Sequence, residues 1–215
     1  FYRVRVAASE SKSGNEDGAE QIANRLSFDI PHSEFRTPRL IMTKQDQGVE
    51  VSLQRYRYTV IPRTLIFITR GDKVLLLHGA PTKRIWANKY NGIGGHVERD
   101  EDIYSSARRE TKEETGLDVE YLRLCGVINI DSGHQTSGIM LFVFVAEARS
   151  GNPIPSDEGT LEWIAREQLA QIDLVEDLAV LVPRTLERPI DAPPFFAHYS
   201  YDEQEHLVIK FAKSS

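Results

Sequence analysis

Residues 95–117 read Gly95-His96-Val97-Glu98-Arg99-Asp100-Glu101-Asp102-Ile103-Tyr104-Ser105-Ser106-Ala107-Arg108-Arg109-Glu110-Thr111-Lys112-Glu113-Glu114-Thr115-Gly116-Leu117. The run predicts a polar and charged helix over roughly 101–115, closed by Gly116 as the left-handed residue just past its end. Ile103 and Ala107, four apart, begin a core-facing stripe. Seven and eleven residues beyond Ile103, that stripe lands on Glu110 and Glu114, with Glu113 beside them. Carboxylates therefore stand where periodicity asks for apolar side chains, and Lys112, about half a turn away, does not reach them. Like charges four apart destabilise a bare helix by ~0.2–0.5 kcal/mol per pair, and desolvation adds to that. Two readings stand at this point: a solvated acidic face, the usual fate of Glu-rich helix faces, or a cation-binding cluster. With no Cys or His among them, the cluster specifies a hard, oxygen-preferring ion, Mg²⁺ or Mn²⁺, rather than zinc.

Outward from this helix the chain reads as strands mixed with few helices. Residues 49–58 alternate with period two, as a half-exposed strand does. Stretches 65–69 and 73–77 flank Arg70-Gly71-Asp72 and predict a hairpin. Further strands are expected around 120–129, 139–147 and 161–164, and helical segments at 166–171 and 175–186. Two final strands, 195–201 and 207–211, turn around 202–205. Without a regular βα alternation, the pattern indicates an α+β fold, an α/β/α sandwich with mixed strand directions. Residues 1–48 have a different texture: a strand-like start at 2–8, a polar stretch at 9–20, a weak helical pattern at 19–26, then Pro31 and Pro38. They are read as an amino-terminal extension of unassigned role, and 49–215 as the principal domain.

Composition narrows the function. The chain has 215 residues, 40% hydrophobic and 27% charged, an ordinary globular balance. The apolar stretches are short, such as 139–146, far below the roughly 20 residues that span a bilayer, so a membrane protein is not expected. A net charge of −6 argues against coating a nucleic-acid polymer, which needs a basic surface. The single cysteine, Cys125, offers no internal disulfide and is read as an inert buried thiol; with no leader recognised, the cytoplasm is the expected compartment.

The pattern Gly95-x5-Glu101-x7-Arg109-Glu110-Thr111-Lys112-Glu113-Glu114-Thr115-Gly116-Leu117 resembles the signature of the Nudix hydrolase superfamily, G-x5-E-x7-R-E-U-x-E-E-x-G-U, with U aliphatic. Every charged and glycine position is met, and Thr111 is the one departure, small and β-branched where an aliphatic residue is usual. The resemblance implies the Nudix fold, a mixed sheet between helices, whose box presents carboxylates to metal ions on a diphosphate. It implies that Glu110, Glu113 and Glu114, with the carbonyl of Gly95, hold Mg²⁺ (or Mn²⁺). It also implies that Arg109 and Glu101 pair to orient the box, and that the reaction is hydrolysis of a nucleoside diphosphate linked to another moiety. Glu110 is the first candidate for general base. Glycines at 92, 94 and 95 suit close approach of backbone to a polyanion.

Beyond the box, residues 60–212 are similar to the MutT-type 8-oxo-dGTP diphosphatases. The stretch from Trp86 through Asn91 to Gly95 is similar to their W-N-G-x-G-G entry. Glu158, in Ser156-Asp157-Glu158, is similar to the residue that supplies a further metal carboxylate, and Asp177 to the one that reads the purine edge. Departures fall on Val175, where a Trp stacks on the base in the mammalian type, and on Leu178, which replaces a second Asp. The expected activity is Mg²⁺-dependent pyrophosphohydrolysis of oxidised purine nucleoside triphosphates, with Asn91, Asp177 and His96 contacting the small-molecule nucleotide. Alternatives are another nucleoside diphosphate-X substrate, such as a nucleotide sugar or dinucleoside polyphosphate, and a non-catalytic ligand-sensing module. The extension is similar in length to those some relatives use to form homodimers. His78 and His134 are read as ordinary strand-end and loop residues, and Arg55, Arg57 and Arg63 as outward-facing arginines on an edge.

Overall fold

The computed structural model describes residues 58–154 and 158–213. The expected extension, its strand and helix, and all but the last residue of the strand read at 49–58 lie outside them. Within the described residues the chain runs β1 (Thr59–Arg70), β2 (Lys73–Gly79), β3 (Tyr90–Asn91), α1 (Ile103–Thr115), β4 (Glu120–His134), β5 (Ser137–Glu147), β6 (Gly159–Ala165), a 3-10 turn (Arg166–Gln171), α2 (Leu178–Leu186), β7 (Phe195–Tyr201) and β8 (Leu207–Phe211). The strands join in the order β3-β2-β1-β5-β4-β7-β8, with β6 on β2. β1 runs parallel to β5 and β4 parallel to β7, while the other ladders are antiparallel. The sheet is mixed, as expected.

Helices cover both faces. Along β1, Leu65 and Phe67 join the core with Leu178, Leu181 and Val182 of α2. Ile66 and Ile68, pointing the other way, join the core with Ala107 of α1 and Leu117. This two-sided burial follows from the strand period of two acting on an unbroken apolar run. The result is an α+β fold of the Nudix α/β/α type.

Helix α1 begins at Ile103, two residues later than periodicity suggests, because Asp102 caps it. The Asp102 carboxylate accepts the N–H groups of Tyr104 (2.8 Å) and Ser105 (3.0 Å). Gly116, at φ 69°, ends it and donates to the Lys112 carbonyl. The buried line down α1 is Ala107, Thr111 and Thr115, not the line through Glu110 and Glu114. Thr111 and Thr115 satisfy their buried hydroxyls by donating to the carbonyls of Ala107 (2.8 Å) and Thr111 (2.6 Å). A threonine thus stands at an aliphatic position without an orphaned polar atom. Glu110 and Glu114 flank this line, half-buried.

Two further boundaries differ from the sequence reading. Residues 175–177 are not helical, because Tyr90 claims their neighbourhood: its N–H donates to Asp173 and its carbonyl accepts from Val175. α2 therefore starts at Leu178. The loop expected around His134 is instead a long hairpin, with His134 paired to Ser137 across a two-residue turn and exposed at the tip. Among the described residues no helix is long and apolar enough to cross a membrane.

Candidate active site

The glycine loop takes the place of a strand beside β1. Residue Thr64 donates to the Gly95 carbonyl (2.9 Å), Ile66 and Ile93 exchange both backbone bonds, and Val97 donates to Pro62 (3.1 Å). β1 and β2 consequently pair only over Ile68–Arg70 and Lys73–Leu75. Gly94, at φ 145°, could carry no side chain: a Cβ there would overlap the Thr64 carbonyl. At Gly95 a Cβ would sit 2.5–2.8 Å from the Glu110 carboxylate, so the missing side chain is the space that Glu110 occupies. The Gly94 N–H donates to Glu114 (3.3 Å).

Arg109 organises the box. Its guanidinium grips Glu101 through two bonds (2.7 and 3.1 Å), reaches Glu110 and Glu113 at 2.9 Å each, and donates to the His96 carbonyl at 3.0 Å. That guanidinium, together with the Glu98 N–H, holds Glu101 down to about 2. Lys112 is occupied elsewhere, by Asp118 and the Gly116 carbonyl. Glu114 behaves oppositely: burial, then repulsion by Glu110 and Glu158, pushes it up to about 7.

A cavity of about 550 Å³ opens beside the loop. It gathers Asn91, Gly95, His96, Glu110, Glu114, Glu158 and Asp177 from the residues singled out in the sequence. Glu101, Arg109 and Glu113 lie outside its lining; the Glu113 side chain is 60% exposed and turned to Arg109. Asn91 turns its Oδ1 back to the Gly92 N–H (2.8 Å), leaving its amide nitrogen for other partners. Asp177 starts α2 but does not cap it with its side chain. Burial, with Glu176 nearby, pushes its carboxyl up to about 6. Apolar walls come from Leu65, Ile130, Leu141, Val175 and Leu178.

Four lining or neighbouring groups escaped the sequence reading. Arg63, expected to face outward, lines the cavity and donates to His96 Nε2 (3.1 Å); the period of β1 carries the signal, since 63 shares a face with 65 and 67. Lys83 pairs with Glu158 at 2.7 Å. Tyr199 lines the floor with a buried hydroxyl that has no partner among the described residues. Tyr90, next to Asn91, stacks on His78 at 4.4 Å, while Trp86, read as part of the glycine entry, stands in the preceding loop.

The donor chemistry fits a hard divalent cation. Glu110, Glu114, Glu158 and the Gly95 carbonyl offer only oxygen, Glu110 fills the space left at Gly95, and Glu114 is destabilised by its like-charged neighbours. Among the described residues no three such side chains are drawn close enough to ligate one ion as they stand; Glu113 is held by Arg109 and Glu158 by Lys83.

Residues 60–185 match the NUDIX domain family. The chain belongs to that family and is a Nudix hydrolase, acting on phosphoric anhydride bonds. Over 145 residues it is 28% identical to the oxidized purine nucleoside triphosphate hydrolase of Mus musculus and 31% identical to that of Danio rerio, in each case covering 67% of this chain and 89% of the relative. The crystal structure of the mutator MutT protein from Bacillus halodurans overlays with a TM-score of 0.56 at 24% identity, covering 71% of this chain and 97% of that one, a likeness of fold.

Proposed function

We propose that this chain hydrolyses oxidised purine nucleoside triphosphates, of the 8-oxo-dGTP kind, to monophosphate and diphosphate with Mg²⁺, Mn²⁺ being an acceptable substitute. The observation that carries the reading is that one cavity joins a carboxylate cluster to two polar side chains able to meet a purine edge, Asn91 and Asp177, with apolar walls between. The two relatives that act on oxidised purine triphosphates support it.

In this reading Glu110, Glu114, Glu158 and the Gly95 carbonyl hold the cation, and Glu113 joins by leaving Arg109. The cation, when bound, neutralises the diphosphate and activates water for attack on phosphorus. Arg109 keeps Glu110 aimed at the Gly95 gap, and Arg63 with His96 faces the phosphates from β1. Glu114, raised to about 7 by burial and by its like-charged neighbours, gives up that proton when it ligates the cation, and Glu110 stays the first candidate for the base. The Asn91 amide donates to a purine carbonyl. Asp177, at about 6, is mainly a carboxylate at pH 7 and accepts purine N–H groups, including the N7–H that 8-oxoguanine has and guanine lacks.

The test is kcat/KM for 8-oxo-dGTP and dGTP in the native protein and in Asp177→Ala. A polar group left unmatched by the wrong base costs roughly 1–3 kcal/mol, so the native preference should fall by about ten- to a hundredfold. An unchanged ratio removes Asp177 from base reading. No preference in the native enzyme overturns the oxidised-nucleotide assignment.

A further inference from the structure

Trp86 stands at the rim of the cavity with 44% of its surface exposed, although it is one of only two tryptophans in the chain. It holds a left-handed backbone at φ 60°, a conformation that residues with a Cβ rarely adopt. The loop maintains it nonetheless. The Trp86 carbonyl accepts the Lys89 N–H (3.2 Å), and the Asn88 N–H donates to Gly79 (3.0 Å). Gly79 leaves room for this turn, since a Cβ there would lie 2.7 Å from the Trp86 carbonyl oxygen.

The loop is tied at both ends of the site. Lys83 joins Glu158 at the carboxylate end. Lys89, in the same tight turn as Trp86, pairs with Glu176 (3.0 Å) and Asp173 (3.5 Å), on the segment that carries Asp177. Trp86 therefore lines the same cavity as the two residues assigned to the purine edge. Val175 is a buried aliphatic wall and Tyr199 is only 2% exposed; the other flat rings of the lining are Tyr201, on β7, and His96, at the carboxylate end with Arg63.

We propose that Trp86 is the stacking face for the purine ring, covering from the rim a base that Asn91 and Asp177 hold by its edge and Val175 backs from within. The assignment rests on the function proposed above and adds a residue to its base subsite. Stacking of a base on an aromatic side chain contributes enough to change affinity by roughly five- to a hundredfold on removal.

Fluorescence tests this without turnover. In Trp163→Phe, Trp86 is the sole indole; the change is mild, because the buried Trp163 Nε1 has no partner among the described residues. Titration with 8-oxo-dGMP should quench and blue-shift the Trp86 emission saturably, and inorganic pyrophosphate should not. In the otherwise native chain, Trp86→Gly suits φ 60° and should melt no lower than the native protein, yet weaken 8-oxo-dGMP binding about tenfold by calorimetry, while Trp86→Phe restores affinity to within about threefold. Calorimetric binding without a change in emission, or with unaltered affinity in Trp86→Gly, overturns the role of Trp86 and leaves the proposed function standing. Failure of 8-oxo-dGMP to bind by either method, with pyrophosphate still binding, overturns both.

Discussion

Adjacent glycines in the loop should respond oppositely to one methyl group. In Gly95→Ala the new Cβ meets only the end of the Glu110 side chain, at 2.5–2.8 Å from its carboxylate atoms. An ordinary contact is ~3.4 Å or more, so the carboxylate must withdraw by about 1 Å. Its bond to Arg109, 2.9 Å long and at a partly exposed site, is worth at most ~1 kcal/mol. Alanine recovers ~0.4–1 kcal/mol by restricting the unfolded chain. Folding stability should thus stay within about 1 kcal/mol of native. Activity should not, because a misplacement of ~1 Å at a reacting centre costs about a hundredfold in rate. Gly94→Ala is the contrast: φ 145° and the fixed Thr64 carbonyl leave no retreat, and a loss of more than ~2 kcal/mol is expected. Thermal unfolding and initial rates on 8-oxo-dGTP with Mg²⁺ decide both. A Gly95→Ala protein with native stability and native kcat/KM would refute the placement of Glu110 at the reacting centre.

Two other outcomes follow from the helix. Because Glu114 is raised from 4.5 to about 7, its contribution to stability is fully present below pH ~4.5 and lost as pH rises through ~7, a span on the order of 2–3 kcal/mol; in EDTA, Glu114→Gln should melt higher than native at pH 8 and equal to it near pH 4.5, and a pH-independent difference in melting temperature would contradict the burial and repulsion described. Thr111→Val removes a buried hydroxyl whose acceptor, the Ala107 carbonyl, lies within the helix ladder, so it should be neutral or stabilising by up to ~1 kcal/mol, with Mg²⁺-dependent activity unchanged; chemical denaturation measures it.

Local chemistry made much of the architecture legible. Gly116 announced the end of α1, Arg70-Gly71-Asp72 the first hairpin, and the two last strands fall at Phe195–Tyr201 and Leu207–Phe211 as their alternation indicates. What stayed hidden depends on partners distant in sequence. Residues 175–177 read as helical until Tyr90 takes the backbone groups of Asp173 and Val175. The inward turn of Arg63 needs the knowledge of which face of β1 meets the cavity. That Thr111 and Thr115 continue the buried line of α1 shows only once their hydroxyls are seen to close on the helix itself. The acidic run showed that something was unusual near Glu110 and Glu114. It did not show that Arg109 is already engaged by Glu101, Glu110, Glu113 and the His96 carbonyl, which needs Glu101 and that carbonyl brought together by the loop.

The glycine loop's role as a surrogate strand divides the site by mutability. Its amide at Ile93, and those of Thr64 and Ile66 opposite, exchange with solvent only when the central sheet opens. Drift in sequence there is penalised twice, in chemistry and in folding. The loop at 80–89 and the segment at 172–178 are bound to each other by lysine–carboxylate pairs at the surface and to the sheet by a few turns' bonds. On the proposed assignment of the base subsite, new base preferences are reached by changing those two segments, and the machinery that cuts the anhydride is inherited whole.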